Sequence, residues 1–351
     1  MKPSLILSLI VGVLLSLLVN RIVYFAYITN YSINSFSRVG IKDHYEHDVF
    51  KYRILSRYVL FQVDDWLSEN MPEKGAPMRL RLYDPKASVR FYLAIYYTNT
   101  FFLVLVEILT VLILYIPGAF EMTQGEKSLT IFLVPLIIGL TSYVIVFYDV
   151  SSYFFQALIL YLFLRMIDKY FLPTLLCIGL LIILSTLNRE SSALSVSLLV
   201  LLLLCKFGIT ERSLIAIGAM AGCFLLAYIG LHLLITDNSN ITINKALAGK
   251  FFDVTNIYGE AFWGIFCYLV FSIANNKENN RMIGFFFFFS TPYILACLFQ
   301  GILWEMRLYV PLLLGTIFLS KIDTSRNVLS CTDLYQEILV QLRLRKRAPL
   351  S

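Results

Sequence analysis

The sequence predicts an all-α fold, a polytopic transmembrane helical bundle of about ten spans, and three observations carry that expectation. Of 351 residues, 58% belong to the hydrophobic set and only 15% are charged, whereas a soluble domain has about a quarter charged. Roughly ten separate runs approach the ~20 mainly apolar residues that cross a bilayer. The basic residues mostly sit between those runs, where they read as topology signals rather than as a nucleic-acid surface.

In chain order, the runs are 4–20, 91–117, 129–148, 151–167, 170–187, 192–207, 213–235, 259–275, 282–299 and 308–320. The first follows Met1-Lys2 and continues into Asn20-Arg21-Ile22-Val23-Tyr24 with no small-residue cleavage site, so it reads as an uncleaved anchor. The second contains Glu107, and an ionisable group inside a span is either a functional group such as a proton relay or a neutral partner for a neighbouring helix. Phe285–Phe289 in the ninth reads as lipid-facing or core packing. Six cysteines show no CxxC pair and five lie in apolar runs, so neither a disulfide framework nor a zinc site is expected.

With the N-terminus inside, inner segments hold fourteen of the 29 lysines and arginines and the short outer loops hold four. This predicts N-in and C-in, because cytoplasmic loops carry the basic excess. The long segment 21–90 then lies outside. Within it, Phe50, Ile54, Leu55, Tyr58, Phe61 and Leu67 recur at helical spacing over 49–67. Such a helix is expected to lie in the outer interface, with Asp48, Lys51 and Arg53 at headgroup depth. The chain divides into a membrane domain, 1–320, and a tail, 321–351. In the tail Leu334, Ile338 and Leu342 lie four apart before a cluster of basic residues. It reads equally as an amphipathic helix on an anionic leaflet or as a solvated, topology-setting tail.

Drawn this way, the charged residues at helix ends fall mostly on the outer face. Asp43, Glu46, Asp48 and Arg53 come from the long loop, Asp149 from the connection of the third and fourth spans, Arg189 and Glu190 from that of the fifth and sixth, and Glu305 and Arg307 from the last hairpin. A short apolar-to-apolar turn does not need such charges, and charge near a membrane is costly unless paired or used. Taken singly, Arg189 with Glu190, or Glu305 with Arg307, reads as an interfacial ion pair. Taken together, they predict one shared site. His44 and His47 sit among carboxylates but match no closed zinc motif, so a divalent cation such as Mg or Mn on the carboxylates is the better metal reading.

The architecture resembles the bacterial relatives of the GT-C superfamily of polytopic glycosyltransferases. The resemblance lies in His47-Asp48-Val49-Phe50-Lys51-Tyr52-Arg53-Ile54-Leu55, Tyr148-Asp149, Asn188-Arg189-Glu190-Ser191 and Glu305-Met306-Arg307. It implies a polyprenyl-phosphate sugar donor, a glycan or lipid-linked acceptor, an inverting transfer on the outer face and a place in the bacterial cytoplasmic membrane. It also implies an acidic base or metal ligand in the first outer loop, a role for which Asp48, Asp43 and Glu46 compete. No large soluble outer domain is expected after the last span, which departs from the oligosaccharyltransferase branch. No nucleotide-binding loop of the GxxxxGK[ST] type or strand-associated GxGxxG occurs. The competing expectations are a transporter or flippase of a lipid-linked saccharide or anionic solute, with Glu107 in its path, and an envelope polysaccharide polymerase or ligase.

Overall fold

The computed structural model of the protein describes residues 3–26, 34–47, 49–142, 145–166, 168–235, 254–300 and 305–324. Tail residues 325–351, read equally as an amphipathic helix or a solvated tail, lie outside them. Fourteen α-helices follow one another among the described residues. They are α1 (Pro3–Ala26), α2 (Arg38–His47), α3 (Ile54–Asn70), α4 (Met78–Arg81), α5 (Val89–Leu114), α6 (Gln124–Thr141) and α7 (Asp149–Leu164). The second half contains α8 (Phe171–Asn188), α9 (Ser192–Phe207), α10 (Glu211–Leu234), α11 (Val254–Ser272), α12 (Lys277–Phe289), α13 (Thr291–Gln300) and α14 (Val310–Leu319). Among the described residues β pairing is limited to two isolated bridges, Gly75 to Ser88 and Phe120 to Ile322.

Among the described residues, five stretches are long and apolar enough to cross a membrane: Pro3–Ala26, Val89–Leu114, Phe171–Asn188, Glu190–Phe207 and Glu211–Leu234. Their outward faces are apolar as well. Leu226 and Leu233 on α10 and Leu176 on α8 stand largely exposed, a distribution suited to hydrocarbon rather than water. These features mark a membrane protein.

α5 is the central post, lying against α1, α3, α6 and α7. The largest core joins α7, α8, α9, α12 and α14 through residues such as Ile159, Ile178, Leu198, Ile283 and Leu319. Side chains close the bundle at two opposite ends. At one, the Tyr92 hydroxyl donates to Tyr24 O at 2.6 Å, Tyr153 to Arg307 O at 2.9 Å and Tyr293 to Leu308 O at 2.9 Å. At the other, Lys321 Nζ donates to Glu126 Oε1 at 2.8 Å, Lys206 Nζ to Met166 O at 2.9 Å and Gln124 Nε2 to the Tyr115 hydroxyl at 2.7 Å.

α1 and α6 approach closely at Gly139, where a Cβ would collide with a Val19 methyl. Gly139→Ala is therefore expected to cost about 1–3 kcal/mol by overpacking, read as a lower melting temperature of the detergent-solubilised protein. A variant as stable as wild type would show that α1 yields.

Several sequence expectations are corrected. The run 129–148 does not stay helical to its end: α6 stops at Thr141. The Thr141 and Ser142 hydroxyls donate back to the Ile137 and Ile138 carbonyls, local bonds that compete with continuation of the helix. Asn99 Nδ2 then takes Val146 O at 2.7 Å. The ninth run is broken at Ser290, between α12 and α13. Phe286 on α12 is fully buried while Phe288 is exposed, so the phenylalanine run serves both core and periphery. Cys177, Cys223, Cys267 and Cys297 are free.

The helix expected over 49–67 begins at Ile54, after a 3₁₀ turn over Val49–Tyr52. Its buried face is Ser56, Leu60, Asp64 and Leu67, while Ile54, Tyr58 and Trp66 point outward. Both faces are mixed: two leucines lie inside with Ser56 and Asp64, and Arg57, Gln62 and Glu69 are exposed beside the outward apolar groups.

Candidate functional site

Four separated segments deliver six charged side chains to one end of the bundle. Arg53 is the N-cap of α3, Asp149 the first residue of α7, Arg189 and Glu190 join α8 to α9, and Glu305 and Arg307 precede α14. Local hydrogen bonds fix the approach of α7 to α8. Asn188 Nδ2 donates to Tyr148 O at 3.1 Å and its Oδ1 accepts from Ser151 Oγ at 2.8 Å. Arg189 is extended, with φ −166° and ψ 142°, which ends α8 and turns its side chain toward Asp149.

The Asp149 carboxylate accepts from two arginines, Arg189 Nη1 on Oδ1 and Arg307 Nη1 on Oδ2 at 2.9 Å. Arg307 also pairs with Glu305 at 2.8 Å. Arg53 meets Glu190 through two nitrogens, Nη2 to Oε1 at 2.9 Å and Nε to Oε2 at 3.4 Å. Tyr148 links the two halves: its ring centroid lies 3.9 Å from the Arg53 guanidinium carbon and 5.6 Å from that of Arg189, stacking that favours a desolvated cation.

Arg53, Asp149, Arg189 and Glu305 are all buried, whereas the Glu190 side chain is 45% exposed and marks the mouth. Burial works against the charge on each arginine. Glu190 outweighs it for Arg53, and Asp149 for Arg189 and Arg307, so all three hold their protons more firmly than a free guanidinium. The Arg307 Nε–H is buried without an acceptor.

A cavity of about 210 Å³ adjoins the cluster between α3, α5, α7 and α8. Leu55, Val59, Phe102, Phe147, Phe155 and Leu184 give it mostly apolar walls, and Ser56, Thr98, Ser151 and Asn188 add polar groups to the lining. Ionic groups and an apolar hollow thus stand side by side, the composition that suits an amphiphilic anion.

All six residues expected to bind substrate are brought together: Arg53, Asp149, Arg189, Glu190, Glu305 and Arg307. Of the three candidate bases, only Asp43 has a described side chain. Asp43 stands exposed on α2, and Asp48 and the side chain of Glu46 lie outside the described residues, as does the side chain of His47. Among the described residues no group of three or more His, Cys, Asp or Glu is arranged for a metal. The cluster carboxylates Asp149, Glu190 and Glu305 each already face an arginine, a donor set that does not fit Mg or Mn.

Sequence reasoning missed the aromatic parts. Tyr153 lies one helical turn after Asp149 and so shares its face, a signal that was available; Tyr293 has none. It also missed a second network that fastens α3. Asp64, buried on α3, pairs with Arg38 at 3.0 Å and Arg90 at 3.6 Å, and Arg90 reaches Glu73 at 3.1 Å. Asp64→Ala is expected to cost about 1.5–3 kcal/mol, the range for hydrogen bonds to charged groups, and to expose α3 to limited proteolysis. An unchanged digestion pattern would contradict this.

Comparison of the chain with protein-family models, with curated proteins and with solved structures finds no match.

Proposed function

We propose that the protein is an integral membrane glycosyltransferase that moves a sugar from a polyprenyl-phosphate donor to an envelope glycan or lipid-linked acceptor. The observation that supports this most is the convergence of Arg53, Arg189 and Arg307 beside an apolar cavity at one end of the bundle. Arginine meets phosphate oxygens in a planar, bidentate fashion, and the adjoining hollow takes apolar chain. In this reading the ten helical runs all cross a bacterial cytoplasmic membrane, N-in and C-in, and the cluster faces outward.

The acceptor hydroxyl attacks the anomeric carbon as the bond from that carbon to the phosphate oxygen breaks. A carboxylate of the first outer loop takes the hydroxyl proton, with Asp48 the first choice and Asp43 or Glu46 the alternates. A single displacement inverts the anomeric centre. The leaving polyprenyl phosphate gains negative charge, which the arginines stabilise in a partly dehydrated site. Asp149, Glu190 and Glu305 orient those arginines.

The test is release of polyprenyl phosphate from a panel of polyprenyl-phosphate sugars by the purified protein in lipid. Turnover that falls at least about a hundredfold in Asp48→Asn, the scale of a lost general base, supports the reading. Absence of turnover with every donor and acceptor mixture contradicts it and favours transport of a lipid-linked saccharide or anionic solute. The transport reading draws on one observation, the wholly buried Glu107 in α5.

A further inference from the structure

Along its face against α5, α1 buries Ser8, Gly12, Ser16, Asn20 and Tyr24 at four-residue spacing. Most polar groups of this seam clasp one another. Ser8 Oγ meets the Tyr115 hydroxyl at 3.0 Å, Asn20 Nδ2 donates to Thr100 Oγ1 at 2.6 Å, and Asn99 Nδ2 donates to the Tyr24 hydroxyl. Glu107 does not follow the pattern: it is 0% exposed, and neither carboxyl oxygen has a hydrogen-bond partner.

The carboxyl sits where α1 has no side chain. A Cβ on Gly12 would lie 2.8 Å from Glu107 Cγ and 2.9 Å from Oε1. The Ser16 and Thr110 hydroxyls, about one turn away on the two helices, are also buried without partners. Thr110 borders a cavity of about 10 Å³, the size of one water molecule.

A structural clasp would be hydrogen-bonded, and a mere space-filler would be cheaper as an apolar residue. The charged residues on the elements around α5 stand toward helix ends or in the outer segment. They are Arg21 on α1, Glu126 and Lys127 on α6, Asp149 on α7, Arg57, Asp64, Asp65 and Glu69 on α3 with its cap Arg53, and Arg90 on α5 itself. None is bonded to Glu107. A divalent cation takes about six or more oxygen ligands, far more than one carboxyl and two hydroxyls. The ligand that suits a lone carboxyl in such a seam is a proton.

We infer that Glu107 is a proton-binding site and that it exchanges its proton with the end of the bundle marked by Tyr115. Tyr115 lies eight residues further along the chain, about 12 Å at the rise of a helix. There Ser8 and Gln124 hold its hydroxyl at 3.0 and 2.7 Å, a hydrogen-bonded mouth that leads into the seam. The site is separate from the charge cluster and does not depend on the glycosyl-transfer reading.

Infrared spectroscopy of the full chain in lipid bilayers tests this. The wild type minus Glu107→Gln spectrum is expected to show one carboxylic-acid C=O band. That band is expected to move to lower frequency when the buffer is exchanged for D₂O, and to move more slowly in Tyr115→Phe. A wild type without the band, or a band that stays unmoved in D₂O for hours, overturns the proposal. Equal exchange rates in Tyr115→Phe overturn the route. If Glu107→Gln fails to fold, Glu107→Asp serves instead, because it keeps the acid and displaces the band.

Discussion

Asp149→Asn is expected to destabilise the protein by about 3–5 kcal/mol, the cost of removing one partner from a buried ion pair. Among the described residues, Asp149 is the carboxylate that pairs with both Arg189 and Arg307. Arg307 retains Glu305 at 2.8 Å, so the burden falls on Arg189, which is only 3% exposed. An asparagine keeps the shape and loses the charge, leaving a buried guanidinium uncompensated. The expected signature is a large fall in melting temperature and in the monodisperse fraction after solubilisation. Adding Arg189→Gln is expected to restore part of the loss, because two contacting residues couple non-additively. A single variant with wild-type stability would mean that water reaches Arg189.

The largest expected effect on activity with the fold preserved is at Arg53. Its partner Glu190 has a side chain 45% exposed, so Arg53→Ala returns that carboxylate to water and does not strand it. Donor turnover is expected to fall about a hundredfold, the scale of losing one preorganised charge stabiliser, while the melting temperature falls less than in Asp149→Asn. Arg53→Lys is expected to recover little. A lysine supplies a point charge but neither the two-pronged contact to Glu190 nor the stacking on Tyr148, 3.9 Å from the guanidinium carbon. Loss of stability equal to the loss of turnover would contradict this separation.

The six cluster residues were legible because charges in short connections between apolar runs have few uses, and a single topology places all of them at one end. Their partners were not legible. Pairing of Asp149 with two arginines depends on how Asn188 and Ser151 stitch α7 to α8, and Tyr148 reads as an ordinary interfacial aromatic until two guanidinium groups are seen over it. The apolar spacing in 49–67 identified α3, but its periodicity did not tell which face was inside: Asp64 is buried and Tyr58 is not. Glu107 stood out by residue type alone. That it lacks a partner while its seam neighbours Asn20 and Asn99 have theirs needs three-dimensional packing.

The most direct measurement of the central claim is binding of polyprenyl phosphate, without sugar, to the purified protein in lipid nanodiscs, with the uncharged polyprenol as comparison. A phosphate held by three arginines beside an apolar cavity is expected to bind at least about tenfold more tightly than the polyprenol, a preference of about 1.4 kcal/mol, and to lose that preference in Arg53→Ala. Equal binding of phosphate and alcohol, or a preference unchanged by Arg53→Ala, would contradict the assignment of the cluster as a phosphate site.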